Sequence, residues 1–227
     1  MEAIISTIQY HPDRFDKLAA IPHPRYHNKA YERLLMKLNS TLQRVVIKLN
    51  GSGNREMLPL FDSLATFKCL TSIGLQGLLD RLALLEIILG GCSLLQEVAV
   101  NIQFLENIRT KDDMTTWLAA NINIAHNKGI KSLTITDDYR ADLLELFVYK
   151  YPNMKSIVIK AEKTMSDLRE NIKRTFTAVK QIPSRKVKLV VNENELLHAL
   201  KQLLPLDLQF TLKEEDEVCF CIEINSP

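Results

Sequence analysis

Glycine and proline are scarce, 7 Gly and 8 Pro in 227 residues. That scarcity excludes collagen-like, linker-dominated and low-complexity chains. Aromatic residues are few as well, 8 Phe, 6 Tyr and 1 Trp, so the core has to be assembled from aliphatic side chains. Four cysteines without a repeated spacing do not make a disulfide framework, and Cys69 and Cys92 lie in apolar stretches where a free thiol acts as a small hydrophobe. An intracellular, reducing compartment, cytoplasmic or nuclear, is expected. Neither sign of charge dominates: 29 Lys plus Arg against 27 Asp plus Glu leave a net charge of +2, which gives no concentrated basic surface for nucleic acid. Long hydrophobic runs are missing too. The most apolar stretch, Leu82 to Leu89, is broken by Glu86 and is far shorter than the roughly 20 residues a membrane helix needs. Met1 to Tyr10 lacks the basic-then-apolar order of a signal peptide. Neither nucleic acid nor membrane is an expected partner.

Leucine and isoleucine are abundant instead, 35 and 20 residues, and they are ordered. One short pattern recurs: Leu42-x-x-Val45-x-Ile47, Leu70-x-x-Ile73-x-Leu75, Leu95-x-x-Val98-x-Val100, Ile130-x-x-Leu133-x-Ile135 and Met154-x-x-Ile157-x-Ile159. A weaker sixth copy aligns Leu189 and Val191 with the last two places and Lys186 with the first. First positions are separated by 28, 25, 35, 24 and 32 residues, as a fixed strand with variable connections would give. The last two apolar places of each copy are two apart, so they share one face of a strand. Between the copies lie helical spacings: Met57, Leu58, Phe61, Leu64 and Phe67; Met114, Trp117, Leu118 and Ala125; Leu143, Leu144, Leu146, Phe147 and Tyr151; and Leu168, Ile172, Phe176 and Val179. Asp112 or Asp113 and Gly129 suit the start and end of the second of these, and Thr164 with Asp167 suits a capping box for the fourth.

Strand and helix therefore alternate, which admits two α/β architectures. A doubly wound sheet buries both faces and needs continuous apolar strands; a solenoid carries its helices on one side and leaves the other face of the sheet open. The residues flanking the apolar pair decide the expectation. In chain order they are Arg44, Val46, Lys48; Ser72, Gly74, Gln76; Glu97, Ala99, Asn101; Ser132, Thr134, Thr136; and Ser156, Val158, Lys160. Their outer two columns are wholly polar, so the face is solvated and a solenoid is expected, with a parallel sheet on its concave side and helices on its convex side.

The pattern Leu42-x-x-Val45-x-Ile47-x-x-Asn50 resembles a leucine-rich repeat, although the later copies carry Leu78, Gln103, Asp138 and Glu162 in the place of Asn50. Cys92-Ser-Leu-Leu95-Gln-Glu-Val98 and Tyr151-Pro-Asn-Met154-Lys-Ser-Ile157 resemble the Cys-Pro-x-Leu-x-x-Leu segment of repeats in F-box/leucine-rich-repeat proteins. Arg25-Tyr26-His27-Asn28 through Leu42 is similar to the stretch before the first repeat in fungal proteins of this type. The resemblance spans about residues 25–200 and implies a substrate-recognition module of a ubiquitin ligase. Residues 1–40 show no Leu-Pro pair followed by a Leu/Ile-rich stretch and a Trp, as an F-box has. A cullin-ligase adaptor is thus a partner only if an F-box lies outside this chain. The expected organisation is one continuous domain: a partly helical N-terminal cap at 1–40, about six irregular repeats at 41–204, and a C-terminal β-hairpin cap at 205–227. In the hairpin, Leu208, Phe210 and Leu212 alternate, as do Val218, Phe220 and Ile222, joined by Lys213 to Glu217.

Candidate chemistry is sparse. Gly51-Ser52-Gly53-Asn54 follows a strand, where a dinucleotide phosphate loop would lie, but the third glycine position holds Glu56, whose charge opposes a pyrophosphate. His23 and His27 flank Pro24, which breaks the helix that would aim them at one metal. Cys219 and Cys221 fall on the same side of one strand, a poor geometry for a disulfide. No nucleophile elbow or catalytic carboxylate pair stands out, and no cofactor, metal or catalysis is expected. The remaining candidate is the polar array itself: Arg44, Lys48, Gln76, Glu97, Asn101, Thr134, Thr136 and Lys160, expected to hold a protein partner on the sheet. The rival reading is an α/β enzyme with a doubly wound sheet binding a nucleotide-like ligand near Gly51 and Gly53.

Overall fold

A computed structural model describes residues 6–7, 10, 18–25, 28–51, 56–104, 116–117, 119–120, 129–137, 141–161, 168–181, 186–191, 198, 202, 209–216 and 219–225. The chain forms two compact units, Met1–Glu106 and Asn107–Pro227. Both are α/β.

In the first unit, helix α1 (Lys29–Lys37) leads to strand β1 (Arg44–Asn50), helix α2 (Leu58–Ser63) with a 3-10 turn (Leu64–Thr66), strand β2 (Ser72–Leu79), helix α3 (Leu82–Gly90) and strand β3 (Glu97–Phe104). The three strands are parallel and adjacent in chain order. Asn28 starts α1: its Oδ1 accepts from Ala30 N at 2.8 Å and Tyr31 N at 3.4 Å, satisfying N–H groups that have no partner within the helix. Tyr31, Leu34 and Leu35 then face the core at helical spacing. Pro59 opens α2, where its missing N–H costs no helical bond. Leu60, Phe61, Leu64 and Phe67 are buried behind it.

Helix α3 was not marked by helical spacing in the sequence. Its residues are apolar on almost every side, so the run carries no amphipathic stripe, and Leu82, Leu85, Ile88 and Leu89 are all buried.

In the second unit, strand β4 (Ser132–Asp137), helix α4 (Ala141–Lys150), strand β5 (Ser156–Ala161), helix α5 (Leu168–Lys180) and strand β6 (Lys186–Val191) are followed by β7 (Gln209–Asp216) and β8 (Cys219–Asn225). Strands β4, β5 and β6 are parallel neighbours. The last two are antiparallel to each other, and β8, not β7, pairs with β6. The expected hairpin is thus present with longer strands than expected. Its charged stretch Lys213–Asp216, read as a connection, belongs to β7, with a register irregularity between Glu214 and Asp216. Charges and irregular pairing suit a strand on the outer side of a hairpin, where they oppose edge-to-edge pairing.

The buried ladder is that of the repeat motif. Val45, Ile47, Ile73, Leu75, Val98 and Val100 are buried in the first unit, and Leu133, Ile135, Ile157, Ile159, Val187 and Leu189 in the second. Leu42, Leu70 and Leu95, and likewise Ile130 and Met154, are buried just before their strands. Burying each such side chain stabilises by roughly 1.5–3 kcal/mol.

The strand starts repeat a main-chain device. Gln43 O accepts from Thr71 N and Ser72 N, both at 3.0 Å, and Thr71 O accepts from Gln96 N at 2.8 Å and Glu97 N at 3.0 Å. In the second unit Lys131 O accepts from Lys155 N at 2.8 Å and Ser156 N at 3.1 Å. Ala19 O does the same for Gln43 N at 2.8 Å and Arg44 N at 3.0 Å, and Ala20 bridges Arg44 in parallel. A single parallel bridge therefore precedes the first repeat, and Ile21 beside it is buried. Pro22 lacks the N–H that would extend it. The resembling segments at Cys92 and Tyr151 also form one turn: both side chains are buried, Leu95 N donates to Cys92 O at 3.4 Å, and Met154 N donates to Tyr151 O at 3.2 Å.

The register moves the sixth copy. Ser156 pairs with Lys186, Ile157 with Val187 and Ile159 with Leu189, so the inward pair is Val187 and Leu189 rather than Leu189 and Val191. A shift of two residues keeps every side chain on its own face, which is why alternation alone did not detect it. The helix expected over Met114–Ala125 and the Thr164–Asp167 capping box fall largely outside the described residues. Within the former, Thr116, Trp117, Ala119 and Ala120 are helical, as are His198 and Gln202 further along the chain.

Candidate functional site

The strands alternate between buried and accessible residues. Along β1, Val45, Ile47 and Leu49 are buried while Arg44, Val46, Lys48 and Asn50 are accessible. In β3, Val98, Val100 and Ile102 are buried while Glu97, Ala99 and Gln103 are exposed. In β4 and β5, Ser132, Thr134, Thr136, Ser156 and Val158 are half-buried, and Lys160 is exposed. A doubly wound sheet would bury these positions under a second helical layer. Among the described residues the flanking positions are exposed or half-buried rather than buried, in the first unit more openly than in the second.

Register then turns the flanking residues into rows. In the first unit Arg44, Ser72 and Glu97 form one row, Val46, Gly74 and Ala99 the next, and Lys48, Gln76 and Asn101 the third. All five sequence-nominated residues of this unit, Arg44, Lys48, Gln76, Glu97 and Asn101, thus share one face. The middle row is low because its side chains are small: a Cβ placed on Gly74 would lie 3.2 Å from Val46 Cγ2. The third row is tied together by Lys48 Nζ donating to Gln76 Oε1. Desolvation holds the Lys48 ammonium below the usual lysine range. Beside the first row lies a shallow depression of about 320 Å³ lined by Ala19, Ala20, Gln43, Arg44, Thr71, Ser72, Gln96 and Glu97. Its floor amides are already engaged by the repeated main-chain bonds, so a ligand there would meet side chains, with a cation at Arg44 and an anion at Glu97.

In the second unit the rows are Ser132, Ser156 and Lys186; Thr134, Val158 and Lys188; and Thr136, Lys160 and Val190. The three nominated residues, Thr134, Thr136 and Lys160, lie on this face. Lys186 and Lys188 were missed, because the shifted alignment of the sixth copy hid that they occupy the flanking positions of Ser156 and Val158. Val190 closes its row as a buried apolar residue.

The other candidates separate from this face. Gly51 takes φ +53° at the end of β1, a left-handed turn that favours glycine, while Ser52–Arg55, with Gly53, lies outside the described residues. His23 Nδ1 is 3.2 Å from Pro24 O, and His27 lies outside the described residues. Among the described residues, no group of three or more His, Cys, Asp and Glu side chains could hold a metal ion. Cys92 is buried, and burial pushes its thiol up to about 12, leaving it protonated and inert. Among the described residues no helix is long and apolar enough to cross a membrane. No protein-family model and no curated protein matches the chain.

Proposed function

We propose that the chain is a leucine-rich-repeat-like solenoid that binds a protein partner on its accessible sheet faces and carries out no catalysis of its own. The observation that carries this reading is the conjunction of a one-sided burial pattern with polar residues aligned in register across parallel strands. Such rows offer side chains at a fixed spacing of about 4.8 Å between strands, the kind of surface on which repeat proteins hold extended or folded partners. The repeated two-to-one acceptance at Ala19, Gln43, Thr71 and Lys131 supports a stack of like units. Arg44, Lys48, Gln76, Glu97 and Asn101 are the contacts on the first face, Thr134, Thr136 and Lys160 those on the second. The segment before β1 and the β7–β8 hairpin act as caps in this reading.

The finer proposal is a substrate-recognition module of the F-box/leucine-rich-repeat type, supported by the matched turns at Cys92 and Tyr151. The cullin-ligase adaptor then binds only where an F-box is supplied outside this chain. The enzyme alternative is less well supported because, among the described residues, the flanking positions of β1 and β3 are accessible where a doubly wound sheet would bury them.

Proximity labelling in cells, comparing the natural chain with face-reversed variants, tests the proposal. Lys48→Glu with Asn101→Lys, or Thr136→Lys with Lys160→Glu, is expected to deplete the labelled partners several-fold. Lys173→Glu, on an exposed position of α5, is expected to leave them unchanged. Partner sets that are the same for all variants overturn the reading.

A further inference from the structure

One register row borders the depression of about 320 Å³ at the strand starts of the first unit: Arg44 of β1, Ser72 of β2 and Glu97 of β3. The two charged residues stand at the ends of the row. Both are exposed, and among the described residues neither is held in an ion pair. Between them Ser72 presents only a short hydroxyl side chain, while the exposed Gln43 and Gln96 line the same hollow. The main chain beneath has nothing left to donate. The amides of Gln43, Arg44, Thr71, Ser72, Gln96 and Glu97 donate to Ala19 O, Gln43 O or Thr71 O, and Thr71 Oγ1 donates to Gln43 O at 3.3 Å.

These constraints select the ligand. With its amides engaged, the hollow is no main-chain nest for a phosphate or a terminal carboxylate, and one cation set against one anion gives a polyanion no net attraction. An extended segment would press its own N–H and C=O groups against amides that are already satisfied; an α-helix satisfies its main chain internally and offers side chains alone. Resting on the protein-binding reading above, we propose that the depression seats an α-helix of the partner, laid across the three strands, with a carboxylate against Arg44 and a cation against Glu97. The spacing supports it. Arg44 and Glu97 are two strands apart, about 9.6 Å, and helical residues seven apart are separated by about 10.5 Å and lie within roughly 20° of the same side. The acidic residue takes one such position, the basic residue the other, and a small side chain three or four places along lies over Ser72. Arg44 holds the carboxylate through two parallel N–H donors, a charge-assisted contact about twice as strong as a neutral one.

Selection on the full chain from a displayed library of helical hairpins, with one helix face randomised, tests the proposal. The natural chain is expected to enrich helices carrying one acidic and one basic residue seven apart. Reversing a single charge moves that pattern in a defined way: the Arg44→Glu chain enriches two basic residues at this spacing, and the Glu97→Arg chain two acidic ones. A peptide selected on the natural chain, followed by fluorescence anisotropy, is expected to bind either reversed chain roughly tenfold more weakly, equivalent to about 1.4 kcal/mol. It should bind within about twofold to Arg33→Glu, an exposed α1 position that does not line the depression. Proline placed at the centre of the peptide breaks its helix and should abolish binding. No shared pattern, a pattern that ignores both reversals, or a peptide that still binds with the proline overturns the proposal. If the Arg44→Glu chain keeps all its proximity-labelled partners while Lys48→Glu with Asn101→Lys loses them, the helix proposal fails and the broader reading stands.

Discussion

Gly77 lies in β2 at φ +111°, and a Cβ built on it would sit 2.3 Å from Leu49 O of the neighbouring strand. No L side chain relieves that approach by changing rotamer, because the obstacle is the Leu49 backbone. Gly77 also marks where burial in β2 stops alternating: Gly77 and Leu78 are both exposed before Leu79 is buried again. Gly77→Ala is expected to destabilise the protein by about 2 kcal/mol or more through strain and displacement of β1. Urea denaturation followed by circular dichroism measures it. A loss below about 0.5 kcal/mol would mean that the turn is not the strained one described. Gly74, by contrast, sits at ordinary φ with only a Val46 methyl nearby, so the two glycines of one strand answer to different constraints.

Between elements, α4 and α5 are joined by more than apolar contact. Arg174 Nε donates to Glu145 Oε1 at 3.0 Å and Nη2 to Oε2 at 2.6 Å, a bidentate pair with the guanidinium almost wholly buried. Burial opposes the charge on Arg174, but Glu145, Asp142 and Glu170 outweigh it and hold the guanidinium above its usual range. Asn171 Oδ1, one turn earlier on α5, accepts from Ala141 N at 3.1 Å and so caps the start of α4. Glu145→Ala leaves a buried cation without its forked acceptor and is expected to cost about 3 kcal/mol. Arg174→Lys keeps the charge but not the fork, and falls between the two. Chemical denaturation of the three proteins checks the order, and equal stability of Glu145→Ala and the natural chain would refute it.

The same elements show what the sequence could reveal. Strands with one buried face were legible, because a period of two is visible whenever water defines the other side. The site rows were legible for the same reason: parallel, in-register repeats bring the same motif position of each copy side by side. Helix α3 was not, since its exposed side carries Ala83 and Ile87 rather than polar residues, and a helix apolar on nearly all sides has no polar stripe to mark its period. Register was not, since Lys186 can slide by two without changing face. The bridge at Ala20 escaped because a single paired residue before Pro22 is less than one copy of the motif.

At the scale of the whole molecule, charge among the described residues is almost all at the surface, and pH selects the few groups that are not. Among the described residues the buried ionisable side chains outside the hydrophobic core are Asp142, Lys150 and Arg174, all in the second unit. Lys150 Nζ lies 5.7 Å from the centre of the Tyr151 ring. Desolvation lowers its ammonium from the ordinary 10.5 to about 8. At pH 7 both the folded and the unfolded chain hold this proton, and the fold bears the full cost of the desolvated charge. Between about 8 and 10.5 the folded state has released the proton and the unfolded state still binds it, so stability rises with pH. The limiting slope is about 1.4 kcal/mol per pH unit. Cys92 and Tyr31 act in the opposite sense. Burial raises the Cys92 thiol from 9.0 to about 12 and the Tyr31 phenol, which donates to Val46 O at 3.1 Å, from 10.0 to about 12. Each contributes stability that is present below its unfolded value and lost as pH climbs toward 12. These three groups together predict stability that climbs from pH 8 to 9, levels between 9 and 10 where Lys150 and Cys92 cancel, and falls above 10. Lys48, also lowered by desolvation, adds in the same direction as Lys150. Lys150→Met isolates the one term. At pH 7 the variant is expected to be the more stable, by the desolvation cost less whatever the ring contact and the other interactions of the amine contribute, on the order of 1 kcal/mol or more. That advantage should shrink steadily between pH 8 and 10 as the natural chain sheds the proton. Urea titrations of both proteins at unit pH steps decide it, and parallel curves from pH 7 to 10 would show that the Lys150 amine keeps its charge at no cost to the fold.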